Sequence, residues 1–262
     1  MTVSSATARQ ADIEQLVARE GFVRVRDLVG RFGVSAVTVR SDLDQLEAAG
    51  RLRRVRGGVL ARTSSRQEIS FELAREDAGP SKAAIARRAV DEVGSGDAIL
   101  LDVGTTTTAI ASELVTRTDL HELTVFTNSL TIALELERAA DRIQIIVTGG
   151  TLRPLQHSLV DPLATRLLED VTARLAFIGC NGVHPTGGIT NINLPECQVK
   201  QAMVRAARRR VVVADGTKIG EIELARVCTL AEVDLLVTDD TADADTLALL
   251  SADVELAVVP GT

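Results

Sequence analysis

From residue 83 to the end of the chain, short apolar runs alternate with helical patterns. That alternation limits the fold more tightly than any other feature of the sequence. The runs AILLD (98–102), LTVFT (123–127), IQIIV (143–147), LAFIG (175–179), RVVVA (210–214), DLLVT (234–238) and VELAVV (254–259) are almost continuously hydrophobic. A strand covered on both faces reads this way, whereas a half-solvated strand alternates. Helical spacing fills 83–93, 107–116, 129–138, 161–170, 195–209 and 243–251. The pattern predicts an α/β domain with a mainly parallel sheet. Its core has to be aliphatic: 45% of the residues are hydrophobic but only 2% are aromatic, with no Trp or Tyr. The same scarcity argues against recognition by base stacking.

Ligands of such sheets sit beyond the carboxyl ends of the strands, so the residues following each run are the informative ones. The first run is followed by Asp102, Val103, Gly104 and four threonines. Thr127 and Asn128 close the second, Gly149 and Gly150 follow the third, Asn181 and Gly182 the fourth, and Asp215-Gly-Thr-Lys218 the fifth. Gly104 permits a tight turn. The helix it opens has N–H groups without internal partners, which attract anions. Thr105, Thr106 and Thr107 add hydroxyls, and the whole suits a phosphate cradle; the plain alternative is an ordinary helix start. Convergence at five strand ends favours the cradle.

A phosphate also needs a cation. The chain has only three lysines, Lys82, Lys200 and Lys218. Lys218, in DGTKIG (215–220), is the candidate for phosphate or for holding the phosphate loop. Lys200 lies four residues after Glu196 in LPECQVKQAM, so both share a helical face. Both are candidate effector residues; the alternative is a solvated pair contributing ~0.3–0.5 kcal/mol.

The first sixty residues read differently. Ile13, Leu16 and Val17 make one helical face; Leu28, Val29 and Phe32 make a second. Gly33 breaks the pattern, Ser35 caps a third helix, and Val39, Leu43 and Leu46 face inward from it. The other side of that helix carries Thr38, Arg40, Ser41 and Asp44. RLRRVRGGVL (51–60) follows as an arginine-rich hairpin. Two helices joined through a glycine turn, the second with a polar outer face, form a helix-turn-helix, whose second helix fits the major groove. Ser35, Thr38, Arg40 and Ser41 are the candidates for DNA contact on the helix, with Arg53, Arg54 and Arg56 in the wing meeting phosphates or the adjacent groove. A protein-docking hairpin is the alternative. Charge favours DNA: residues 1–66 hold 12 Arg and 7 acidic residues, a net +5 in a chain whose total is −7.

Residues 61–81 are polar, lack a sustained period and contain Gly79-Pro80, and so read as a linker, with Phe71 and Leu73 docking on a domain. The predicted organisation is a reader at 1–60, a linker at 61–81 and a larger domain at 82–262. No signal peptide or membrane-length apolar run is evident, and three scattered cysteines fit a reducing cytosol. His121, His157 and His184 lack metal-ligand spacing, and neither a GxGxxG nor a P-loop pattern occurs.

DLVGRFGVSAVTVRSDLDQLEAAGRLRRVRGGV (27–59) resembles the winged helix-turn-helix of the DeoR family of sugar-responsive bacterial regulators. LDVGTTTTAIA, TVFTNSL, VTGGTLRPLQHSLVDPLA, AFIGCNGVHPTGGIT, PECQVKQAM and VVVADGTKIG resemble that family's sensor region, so the likeness covers essentially the whole chain. The resemblance implies a sensor fold similar to ribose-5-phosphate isomerase and the CoA transferases, and a phosphorylated sugar or sugar acid as effector. Two single positions and one segment depart from the family pattern. Ser41 replaces a second basic residue, Asn181 stands where an acidic residue is common, and DGTKIG replaces DSSKFG. An amide at 181 cannot move protons as a carboxylate can.

The expectation is a cytoplasmic, non-enzymatic regulator, usually a repressor in this family, without a cofactor or metal. It binds double-stranded operator DNA and a small phosphorylated metabolite as a homo-oligomer, a dimer or tetramer. Two rivals remain: an aldose–ketose phosphate isomerase with a DNA-binding appendage, and a DNA binder whose large domain only oligomerises.

Overall fold

The computed structural model describes residues 6–20, 22–49, 51–55, 57–61, 68–76 and 79–261. The chain divides into two compact units, Met1–Ile69 and Ser70–Thr262.

The first unit contains α1 (Ala6–Glu20), β1 (Phe22–Arg24), α2 (Val25–Phe32), α3 (Ala36–Ala48), β2 (Leu52–Val55) and β3 (Gly58–Ala61). Ile13, Leu16, Val17, Leu28, Val39, Leu43 and Leu46 form its buried core, the faces that helical spacing marks out. Gly33 ends α2 in the left-handed region at φ 63°, its N–H donating to the Val29 carbonyl. Such a C-cap suits glycine because no Cβ opposes it. The Ser35 hydroxyl then accepts the Thr38 N–H at 3.1 Å and starts α3. The arginine-rich segment is a hairpin, and β1, absent from the sequence reading, adds a third strand in the order β1-β3-β2. A side chain at Gly58 would collide with the Phe22 ring and the Val23 carbonyl oxygen.

The second unit contains α4 (Phe71–Glu76), α5 (Gly79–Val90), β4 (Ala98–Leu101), α6 (Thr105–Thr116), β5 (Leu123–Thr127), α7 (Leu130–Leu136), β6 (Ile143–Val147), β7 (Thr151–Arg153) and β8 (Ser158–Val160). There follow α8 (Leu163–Glu169), β9 (Ala173–Gly179), β10 (Gly182–His184), β11 (Gly188–Asn191), α9 (Leu194–Ala206), β12 (Ala207–Val213), β13 (Ala225–Cys228), β14 (Leu235–Asp239), α10 (Ala244–Leu250) and β15 (Leu256–Val259). The segment predicted as a linker therefore carries α4 and the start of α5, and Phe71 is buried.

All seven apolar runs are strands of one sheet, in the order β15-β14-β12-β9-β4-β5-β6. Every neighbouring pair in it is parallel. Two aliphatic cores cover its faces. One gathers residues of α5, α6 and α7 around Phe177, and the other gathers α8, α9 and α10 residues around Met203 and Ile178. No helix among the described residues is long and apolar enough to cross a membrane.

The first three strands of the sheet run outward from β4 in one direction, and the next four run outward from β9 in the other. The order reverses between β4 and β9, and the carboxyl ends of that pair border the crevice where ligands of open α/β sheets sit. A second difference from the sequence reading concerns the helix expected at 195–209. It stops at Ala206, and Ala207 enters β12 directly because residues 207–210 pair with β9.

Candidate functional site

In the first unit, α3 presents Arg40 and Ser41 to solvent, with no ion pair to Arg40 among the described residues. Ser35 and Thr38 bond to each other, Oγ to Oγ1 at 2.9 Å, so both serve the helix cap as well as its outer face. Arg54 is not free. Its guanidinium pairs with Asp44, and its N–H donates to Glu47 at 2.9 Å, tying the wing to α3. The Arg53 side chain and all of Arg56 lie outside the described residues.

Two residues of this unit escape sequence reasoning. Asp42 is buried and takes two bonds from the Arg9 guanidinium, at 2.6 and 3.0 Å. The pair locks α3 to α1. Val37, in the first turn of α3, is 73% exposed. An apolar side chain held in solvent at the leading end of a recognition helix suits contact with a thymine methyl group.

In the second unit, the strand ends converge as the alternation predicts. Asp102 lies at the reversal point, fully buried, its Oδ2 accepting the Gly179 N–H at 3.0 Å and the Lys200 ammonium. Lys200 also donates to the Gly179 carbonyl at 3.1 Å, so one ion pair clamps the end of β9 to the end of β4. Asp102 Oδ1 has no hydrogen-bond partner among the described residues. Burial pushes the Asp102 carboxyl up to about 6, against the pull of Lys200. Burial alone would lower Lys200; the charges of Asp102 and Glu196 reverse this and hold it above its ordinary value.

Glu196 and Lys200 share a face of α9, as their spacing requires, but they are not a solvated pair. Both are buried and have different partners. Glu196 accepts from Arg153 and, at 2.5 Å, from the Ser158 hydroxyl.

All three lysines act at this end of the sheet. Burial would raise the Asp215 carboxyl, but Lys218, the Thr217 hydroxyl and Lys82 together hold it below its ordinary range. Lys218 is partly buried beside Cys180, whose thiol burial pushes up to about 12. Sequence reasoning selected Lys200 and Lys218 but not Lys82 or Asp215. The concentration of the lysines here, in a chain whose other cations are arginines, was the available signal.

The threonine turn opens α6 after Gly104, whose φ of 146° is a backbone that side-chain-bearing residues rarely adopt. The Thr107 and Thr108 hydroxyls donate back to the Gly104 carbonyl at 3.0 and 2.7 Å, so they brace the turn. No hydrogen bond among the described residues takes up the backbone N–H of Thr105, Thr106 or Thr107. These groups point along the helix dipole and are suited to an anion.

Other candidates are held by the fold itself. Asn128 accepts the Val103 N–H at 3.0 Å and donates to the Leu159 carbonyl at 3.3 Å, so its amide joins β4, β5 and β8. Thr127 Oγ1 accepts the Ser129 N–H. Asn181 Oδ1 accepts the Ile192 N–H at 3.1 Å. Gly150 faces the Val160 backbone and Gly182 faces Glu221 and Thr190, where a Cβ would collide; Gly149 has open space. A cavity of about 390 Å³ lies elsewhere, at the opposite end of α6 from Gly104, between Arg87, Arg88, Arg117 and Pro260.

The model of the DeoR-like helix-turn-helix domain matches residues 9–65, and that of the DeoR C terminal sensor domain matches residues 78–240. The HTH-type transcriptional regulator GlpR of Haloferax volcanii is 34% identical over 237 residues, covering 90% of this chain and 91% of its own. A putative aga operon transcriptional repressor of Escherichia coli O157:H7 is 30% identical, covering 98% and 95%. The glycerol-3-phosphate regulon repressor of Escherichia coli K12 is 27% identical, covering 89% and 90%.

Proposed function

The chain belongs to the DeoR family of DNA-binding transcriptional regulators, and from that premise we propose that it represses a carbohydrate operon and releases the operator when a phosphorylated sugar or sugar acid occupies the crevice. The observation that supports this reading is the set of unsatisfied N–H groups of Thr105–Thr107 where the strand order reverses, at the sheet edge that also carries Lys200 beside Gly179 and, around Asp215, Lys218 and Lys82. Cations and helix-terminal donors at one place select a phosphate. A relative that represses a glycerol-3-phosphate regulon suits this choice.

Two readers on one duplex require at least two chains, so the working unit is a homo-oligomer with half-sites one helical turn, ~34 Å, or a multiple apart. It works in the cytoplasm, where operator DNA is. The effector binds without turnover. Asn181 carries no proton to shuttle, and Asp102 is fully buried and paired. Effector and DNA each weaken the other's binding by the same factor, since linkage is reciprocal.

A melting-temperature screen against sugar phosphates, paired with a product assay, tests this. At a hundredfold excess over Kd an effector adds about 2.7 kcal/mol, several degrees for a chain of this size. The expected result is such a rise with one phosphorylated compound, none with its dephosphorylated form, and no new product. Absence of any rise removes the effector assignment. Conversion of an aldose phosphate to a ketose phosphate makes the chain an isomerase instead.

A further inference from the structure

We propose that Glu72 and His157 are positioning residues that latch α4 to the β7–β8 turn and thereby couple the crevice to the DNA-binding unit. This rests on the crevice being the effector site. Helix α4 is the first element after Ile69, where the DNA-binding unit ends. It is therefore the element of the second unit nearest in sequence to the reader.

Three contacts hold α4 to the turn. The Phe71 N–H donates to the Leu155 carbonyl at 2.9 Å. The Phe71 ring, buried, meets the His157 imidazole edge-on, with centroids 5.8 Å apart. Glu72 Oε1 lies 2.7 Å from His157 Nε2. His157 has φ 52°, a left-handed backbone that residues with a Cβ seldom adopt. Its carbonyl is fixed by the Leu130 N–H at 3.0 Å.

The same hairpin is fastened to the crevice. Ser158, next in the chain after His157, donates to Glu196, which also receives Arg153 from the opposite strand. Glu196 therefore staples both strands, one helical turn from Lys200. Leu159 exchanges bonds with Asn128, whose Oδ1 holds the Val103 N–H just before Gly104. Each strand has only three residues, and both are fastened to the one Glu196 carboxylate. A second tie reaches α4 from Lys82, which donates to the Ala74 carbonyl at 2.6 Å and acts on Asp215. A displacement at the Val103 or Glu196 end is thus delivered to Phe71 and Glu72. Coupling between sites needs such an element with two arrangements that both ligands bias. An exposed Glu–His contact with no such role contributes little and leaves coupling unchanged.

Hydrogen exchange on the full chain decides between these. The probes are a duplex selected from random-sequence DNA by the purified protein, and inorganic phosphate. In the unmodified chain the duplex should change exchange at the Phe71, Leu130 and Leu159 amides about 5-fold or more, the low end of ordinary coupling. In His157→Asn, which tolerates the left-handed backbone but cannot reach Glu72, and in Glu72→Ala, the duplex should still bind and that response should vanish. Glu72→Gln, which still accepts from the imidazole, should respond like the unmodified chain. Melting temperatures confirm that each variant folds. The latch is overturned if these amides ignore the duplex in the unmodified chain, or if His157→Asn and Glu72→Ala respond like it. Phosphate separately reports on the effector reading: no protection at Gly104–Thr107 removes that reading, while the duplex response still decides the latch.

Discussion

Lys200 donates to the Asp102 carboxylate across 98 residues of chain, with both side chains buried. The pair joins the two strands between which the sheet changes direction. Removing one partner from such a pair strands the other charge without water, typically at about 3–5 kcal/mol. Lys200→Met should therefore lower the urea midpoint strongly, whereas the double variant Asp102→Asn/Lys200→Met should recover most of the loss. The sign of the pH dependence follows from the carboxyl. Folded Asp102 sits at about 6 against an ordinary 3.8, so between those values the folded state holds more of this proton. This group's contribution then makes stability fall as pH rises through that window. Without Lys200 the carboxyl rises further, and the stability gap between Lys200→Met and the unmodified chain should be wider at pH 7.5 than at pH 5.

Gly104 offers a sharper probe of the proposed anion site. A Cβ there would lie 3.2 Å from Thr107 Oγ1, on a backbone at φ 146°. Gly104→Ala should lower stability by about 1–3 kcal/mol and abolish the melting-temperature rise given by the effector. A full rise in a folded Gly104→Ala protein would place the phosphate elsewhere.

Arg40 is exposed on α3 without an ion-pair partner among the described residues. Arg40→Ala should weaken operator binding, and if the contact is to a phosphate the salt slope should fall by about 1 while sequence preference stays. Fluorescence anisotropy at several salt concentrations reads both. Unchanged affinity removes Arg40 from the interface.

Val37 should act on sequence preference alone. Val37→Ser keeps the helix start but loses the apolar contact. It should reduce discrimination at a single base pair by about 1 kcal/mol, the low end for one readout contact. Selection of binding sites by both proteins would show it; identical preferred sequences would exclude Val37 from base readout.

The seven sheet strands were legible because each is a continuous apolar run, and the reader because Ser35, Val39, Leu43 and Leu46 fall at helical steps. The hairpin β7–β8 was not. Thr-Leu-Arg and Ser-Leu-Val are too short to carry a period, and they are held by partners far along the chain. Glu196 and Lys200 illustrate the limit well. Their spacing gives the shared face correctly, but periodicity cannot say that Arg153 and Asp102 wait opposite. Asp42 and Val37 invert the usual expectations, a carboxylate inside and an aliphatic side chain outside, and only the packing of α1 against α3 reveals the first. The end of α9 was misplaced because Ala207 and the three arginines after it are acceptable in a helix, and pairing with β9 overrides that preference.

The direct passage from Ala206 into Ala207 leaves no loop between the helix bearing Glu196 and Lys200 and the central strand beside β9. One wall of the crevice is in effect a cantilever built into the sheet, so a shift of that helix pulls on the strand it runs into. On the proposed reading, a change of preferred metabolite is written in the segments that carry Gly104, Gly149 and Lys218, which lie between elements and not inside the sheet.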